Sequence, residues 1–244
     1  MAWYFAGMYS EHEWKVFKDG PVVKAVLTKD DKAAKERPPF KPEAETFKDG
    51  YAFFRVDDGW LVSFNQGEFG AALYWFDHTG TAKQKISNHH VVAFFPSSDG
   101  VLAIQGLAHL SSSRGSIIRL TRTKQWEANQ VTLLPEAPKA GVLFPDGRLL
   151  LVLSASLVEY YKKGDWETLR FYIKDGDWSN FNPNSVVLTD DERKAYIGMR
   201  QFVAEYDFTV RTLRFLIPAQ SFLNKLPSKE EERIRKQYGK GGPR

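Results

Sequence analysis

The chain has 244 residues, 43% hydrophobic and 14% aromatic, with 34 basic against 30 acidic side chains and no cysteine. That composition supplies a packed core and excludes a chain disordered throughout. The missing cysteines exclude disulfides, thiolate catalysis and cysteine-ligated zinc, and they fit a reducing compartment.

The net charge of +4 belongs to one end. Residues 224–244 carry Lys225, Lys229, Arg233, Arg235, Lys236, Lys240 and Arg244 against Glu230, Glu231 and Glu232, which leaves the body neutral. A neutral body argues against nucleic-acid binding. The opening stretch "MAWYFAGMYSEHEW" lacks a basic n-region, and no apolar run approaches the roughly 20 residues that cross a bilayer. The expectation is a soluble, cytoplasmic protein with no membrane partner.

In chain order, "EWKVF", "DG" and "VVKAVL" read as a hairpin. Residues 28–48, charged and bearing prolines, read as an exposed linker or loop. Four repeats follow, each of four strand-length apolar runs. The first is "YAFFRV", "WLVSF", "ALYWF", "KQKIS"; the second "VVAFF", "VLAIQ", "SIIRL", "WEANQVTLL". The third is "GVLF", "RLLLVL", "LVEYY", "WETLRFY"; the fourth "NSVVL", "AYIG", "FVAEYD", "TLRFLIP". Asp-Gly steps before "WLVSF", "VLAIQ" and "RLLLVL" are hairpin signals, and "TDDERK" takes that place in the fourth repeat. No helical period lies between the runs.

A period of about 40–50 residues with four strands predicts an all-β, β-propeller-like fold of four to five blades, occupying residues 1–223 as one domain. The N-terminal hairpin joined by the C-terminal strand would make the fifth blade and hide its edges; four blades is the alternative. In the third strands, Glu159 and Glu205 interleave with apolar residues, which predicts a face turned to solvent. Residues 224–244 read as a short charged helix or a frayed tail.

In a propeller the turns between second and third strands share one rim. These turns are "NQGEFG", "QGLAHLSSSRG", "SAS" and "GMRQ". They predict that Glu68, His109, Ser154, Ser156 and Arg200 gather there, with Gln66, Gln105, Arg114 and Gln201 joining. Each has a plain alternative: Arg200 and Glu68 as structural ion-pair partners, His109 as a packing residue. Trp60, Trp126, Trp166 and Trp178 stand beside turns or strand starts, where one or two could be exposed anchors.

The blocks "GEFGAALYWF", "GLAHL", "NPNSVVL" and "YIGMRQFV", spread over positions 67–203, resemble an uncharacterised bacterial β-propeller-like family. Some bacterial proteins of this size and build are immunity partners of secreted toxins, and the chain is similar to them at that level. The resemblance transfers no catalytic residue.

Other chemistry is missing. There is no phosphate loop, and "QGEFG" lacks the strand–helix context of a dinucleotide site. "GSIIRL" is not followed by the helix of a nucleophile elbow. His89 and His90, adjacent on a strand, point to opposite faces and are ill placed to chelate one ion. No cofactor or metal is expected. Three functions stay open: a protein-binding module, in its sharper form a toxin-neutralising immunity protein; an enzyme or small-ligand sensor using His109, Arg200 and Glu68; and a structural subunit.

Overall fold

The structure is a computed structural model that describes residues 12–31, 36–110, 112–176, 178–219 and 221. The predicted charged tail, 224–244, lies outside these residues. The chain divides into two compact units, Ala33–Gly176 and Met1–Lys32 with Asp177–Arg244.

The Ala33–Gly176 unit holds three four-stranded antiparallel sheets, each in sequence order. The first comprises β3 (Ala52–Val56), β4 (Gly59–Asn65), β5 (Ala71–Phe76) and β6 (Lys83–Ser87). The second comprises β7 (Val91–Ser97), β8 (Gly100–His109), β9 (Ser112–Arg122) and β10 (Trp126–Leu134). The third comprises β11 (Pro138–Leu143), β12 (Leu149–Leu153), β13 (Leu157–Lys163) and β14 (Trp166–Ile173).

The period-two pattern explains how these sheets stack. Successive strand residues face opposite ways, so a strand apolar on both faces serves two interfaces. On β8, Val101 and Ala103 pack with Leu61, Leu73, Val91, Ile118 and Leu120 toward the first sheet. Leu102 and Ile104 pack with Ile117, Leu149, Leu151 and Tyr160 toward the third. Each such buried valine, leucine or isoleucine contributes about 1.5–3 kcal/mol. Polar ties cross the same seams: the Gln84 amide donates to the Trp126 carbonyl at 2.7 Å and accepts from its N–H at 3.0 Å.

The predicted Asp-Gly turns form. Gly59 closes β3 onto β4 at φ 152, and a Cβ there would lie 1.9 Å from the Phe76 carbonyl oxygen. Only glycine fits both demands.

The Met1–Lys32/Asp177–Arg244 unit holds the fourth sheet: β15 (Ser185–Leu188), β16 (Lys194–Gly198), β17 (Val203–Asp207) and β18 (Thr212–Leu216). It also holds the predicted hairpin, β1 (Trp14–Asp19) and β2 (Val22–Leu27). This hairpin forms a two-stranded sheet, while β18 stays hydrogen-bonded to β17 as the outer strand of the fourth sheet. The described residues thus give four full blade-like sheets and one half of another.

Three expectations are corrected. The segment 28–48 is not simply exposed. Ala44 and Phe47 are buried and, with Phe40, cover the Trp60–Phe64–Tyr74–Phe76 face of the first sheet, which would otherwise meet water. The "GLAHLSSSRG" stretch is mostly ladder rather than turn: Gly106 faces Gly115, Leu107 faces Arg114 and His109 faces Ser112. The paired glycines leave room for Pro138, whose Cδ would meet a Cβ on either at 2.6–2.7 Å.

The third correction concerns Glu159 and Glu205. They are 1% and 5% exposed, not on a solvated face. Glu159 accepts from Arg148 at 3.0 Å and from the Tyr172 hydroxyl. Glu205 accepts from Tyr196 at 2.7 Å and from the Arg214 Nε at 3.1 Å. A buried carboxylate persists only when hydrogen bonds and countercharges replace its water.

Candidate functional site

The rim of the Ala33–Gly176 unit is built from two projections. The first is the β4–β5 connection. Asn65 Oδ1 accepts from the Gly67 N–H at 3.0 Å, Gly67 sits at φ 60, and the Gln66 N–H reaches the Gly70 carbonyl at 2.9 Å. This closed turn pushes Glu68 and Phe69 outward, and Phe69 is 81% exposed. The second projection is the tip of the long β8–β9 hairpin. Leu110 turns the chain at φ 52 and is 92% exposed.

Two of the expected rim residues meet here: the His109 Nε2 contacts the Glu68 carboxylate, with both side chains part exposed. The contact ties the two projections together and leaves Phe69 and Leu110 beside it in sequence. Arg114 lies one ladder step from the paired glycines, on the exposed side. The Gly106 N–H donates to the His90 carbonyl at 3.0 Å, and the His90 ring touches Asn65 Oδ1 at 3.3 Å. Burial, and then the nearby Arg114 charge, push the His90 pKa down. Burial and the neighbouring His90 do the same to His89. Both rings therefore favour their neutral forms.

Ser154 and Ser156 are spent on structure. Ser154 Oγ contacts Ser113 Oγ at 3.2 Å, and Ser113 Oγ accepts from the Ala137 N–H at 2.9 Å. Ser156 is buried and donates to Glu136 at 2.5 Å. Gln105 donates to Ser116 at 2.6 Å.

Arg200 and Gln201 lie in the other unit and have partners there. Arg200 Nη2 donates to Glu13 at 3.2 Å, Arg200 and Glu13 form an antiparallel bridge, and the Arg200 N–H donates to the Phe181 carbonyl at 2.6 Å. Asn182 Nδ2 donates to the same Glu13 oxygen at 3.1 Å. Gln201, buried at φ 74, donates its N–H to the His12 carbonyl at 2.8 Å. The arginine between two apolar runs fastens the segment entering β1 to the fourth sheet.

Phe69 and Leu110 were missed by sequence reasoning, which looked to tryptophans. Trp60, Trp126 and Trp178 are buried, and Trp166 is exposed at the start of β14. The flanking glycines of "GEFG" were the available signal for Phe69. Among the described residues no group of three or more His, Asp or Glu could hold a metal ion. Nor, among them, is any helix long and apolar enough to cross a membrane.

No protein-family model matches the chain, and no curated protein matches it. Solved structures match in fold. The extracellular domain of a candidate one-component system from B. thetaiotaomicron aligns with a TM-score of 0.50 at 10% identity, over 86% of this chain and 28% of that one. A functionally unknown protein from Desulfotomaculum acetoxidans aligns at 0.48 and 13% identity, over 71% and 56%. Virginiamycin B lyase from Staphylococcus aureus aligns at 0.45 and 13% identity, over 70% and 56%. The chain thus spans little more than half of these neighbours at most. With the four sheets, the class is all-β and β-propeller-like. At such identities the likeness carries the fold and no activity.

Proposed function

We propose that the protein is a protein-binding module whose contact surface is the rim formed by the β4–β5 turn and the β8–β9 tip. One observation carries this: Phe69 and Leu110, two large apolar side chains, project into solvent beside the Glu68–His109 contact. Apolar anchors ringed by polar groups are the usual energetic centre of an interface. Leu110 strengthens the reading. A leucine in the left-handed region costs about 1–2 kcal/mol relative to ordinary backbone, and its side chain recovers nothing by burial in the free protein. In the sharper form the partner is a bacterial toxin, met in the cytoplasm, and the protein its immunity factor. That form rests on the resemblance of the sequence blocks and on the small size.

The test compares capture from native cells by wild type and by the Phe69→Ser/Leu110→Gly variant. One stoichiometric partner, held at least tenfold more weakly by the folded variant, supports the reading. A partner held equally by both refutes the rim assignment. Leu110→Gly alone should match or exceed wild-type stability in urea, because glycine relieves the strain.

A second reading is favoured by the Glu68–His109 contact: Glu68 orients the imidazole of an acid–base or ligand-binding site. It predicts that a metabolite raises the Tm of wild type and not of His109→Ala.

A further inference from the structure

The Ala33–Gly176 unit carries an open pocket of about 600 Å³ between its second and third sheets, at the end away from the rim. Two Asp-Gly turns make its mouth: residues 97–100 between β7 and β8, and residues 145–147 between β11 and β12. The register builds its walls. Leu102 on β8 pairs with Arg119 on β9, so both face the third sheet. Opposite them on β13, Tyr160 and Lys162 stand two residues apart and share the face turned toward the second sheet. Tyr160 is buried, and its hydroxyl donates to Glu167 on β14.

The cations around this pocket are unequally engaged. Arg148, next to Gly147, has partners on three sides: its Nε donates to Asp146 at 2.6 Å, its Nη1 donates to Glu159 at 3.0 Å, and its guanidinium lies over the Phe144 ring. Arg119 differs. Its Nε is buried and lies 3.3 Å from Asp99 without forming a hydrogen bond, and its Nη2 stands 3.9 Å from Glu167. A buried donor left unfilled is costly, and folded proteins fill such donors with water or ligand. The planar guanidinium fork is shaped for a partner that offers two oxygens. Lys162 adds a second, exposed positive charge on the facing wall.

The carboxylates narrow the choice of ligand. Asp99 and Asp146 line the pocket with half-exposed side chains. The Ser97 hydrogen bond first, then the Arg119 and Lys162 charges, hold the Asp99 pKa below its ordinary value against some burial, so Asp99 is charged at neutral pH. A phosphate set on Arg119 would face three like charges, Asp99, Asp146 and Glu167. A neutral sugar would find no aromatic platform, because the Tyr160 ring is 4% exposed. A molecule of both signs satisfies all the groups. Its carboxylate meets Arg119 and Lys162, its ammonium meets aspartate oxygens with lone pairs to spare, and its apolar atoms lie against Pro96, Leu102 and Pro145. The volume is in the range of small-molecule sites.

We propose that this pocket binds a zwitterionic α-amino acid with an apolar side chain, its carboxylate on the Arg119 guanidinium and its ammonium between Asp99 and Asp146. The site is separate from the rim, and the proposal does not rest on the rim's role.

Isothermal titration of the full chain with L-leucine, L-methionine and L-phenylalanine tests it. At least one should bind one-to-one with a Kd of about 10 mM or tighter. 4-Methylpentanoate lacks the ammonium and leucinamide lacks the carboxylate, and each should bind at least tenfold more weakly than leucine. Arg119→Gln should weaken binding at least tenfold with near-UV circular dichroism unchanged. Lys162→Glu changes an exposed residue and decides the matter should Arg119→Gln fail to fold; it should weaken binding at least threefold. Binding by none of the three amino acids overturns the proposal. So does equal affinity for 4-methylpentanoate or leucinamide, unchanged affinity in the folded variants, or binding of inorganic phosphate that the amino acids do not displace.

Discussion

Replacing Glu205 by Gln removes a charge while keeping the side chain's volume. The carboxylate is 5% exposed and accepts from Tyr196, Arg214 and Lys194, the last at 3.3 Å. The buried Tyr196 bond to a charged acceptor is worth about 1.5–3 kcal/mol. The Arg214 side chain is largely exposed and rehydrates when its partner goes, so its share is small. Some desolvation cost is recovered with the charge. A net loss of about 2 kcal/mol follows. The pH dependence gives a second handle. Burial pushes the Glu205 pKa up, but Tyr196, Arg214 and Lys194 outweigh it, and the pKa lies below the ordinary 4.5. A depressed carboxyl stabilises the fold above its unfolded pKa and loses that contribution as pH falls through the folded one. Urea denaturation of wild type and Glu205→Gln should therefore show a constant gap from pH 7 to pH 5, shrinking below 4.5. A gap under about 0.5 kcal/mol at pH 7, or one that widens in acid, would refute the account of the buried carboxylate.

Three further outcomes are expected. Gly59→Ala should destabilise by about 3 kcal/mol in urea, because its φ and the Phe76 carbonyl both oppose a Cβ; a loss under 1 kcal/mol would show that the turn relaxes freely. Stability should fall as pH rises from 10 toward 12, since burial and then the carboxylates Glu45, Glu159 and Glu205 push Tyr74, Tyr172 and Tyr196 up to about 12. A raised pKa stabilises the fold below the unfolded value and loses that contribution as pH passes the folded one; circular dichroism unchanged through pH 12 would contradict it. Arg200→Ala should speed hydrogen exchange at the Trp14 amide, which donates to the Met199 carbonyl at 3.0 Å, and leave rim binding intact. Lost partner binding with unchanged Trp14 exchange would return Arg200 to the functional set.

Repeating apolar runs punctuated by Asp-Gly were legible because they act locally. Period two fixes which side chains share a face, and glycine alone satisfies a turn such as that at Gly59. The blade-like sheets and their strand order follow from that local grammar. Burial of charge was not legible. A Glu between apolar residues has the same pattern whether its face meets water or an arginine and a tyrosine from neighbouring strands, and only the packed partners placed Glu159 and Glu205 inside. The same holds for segment 36–48, whose charge reads as loop although Ala44 and Phe47 cap a sheet. Arg200 shows the limit most clearly. Its turn position came from the sequence, but its partner Glu13 is 187 residues away. No local pattern encodes that pairing; it exists because folding brings the start of the chain against the fourth sheet, where two part-buried charges are cheaper together than apart.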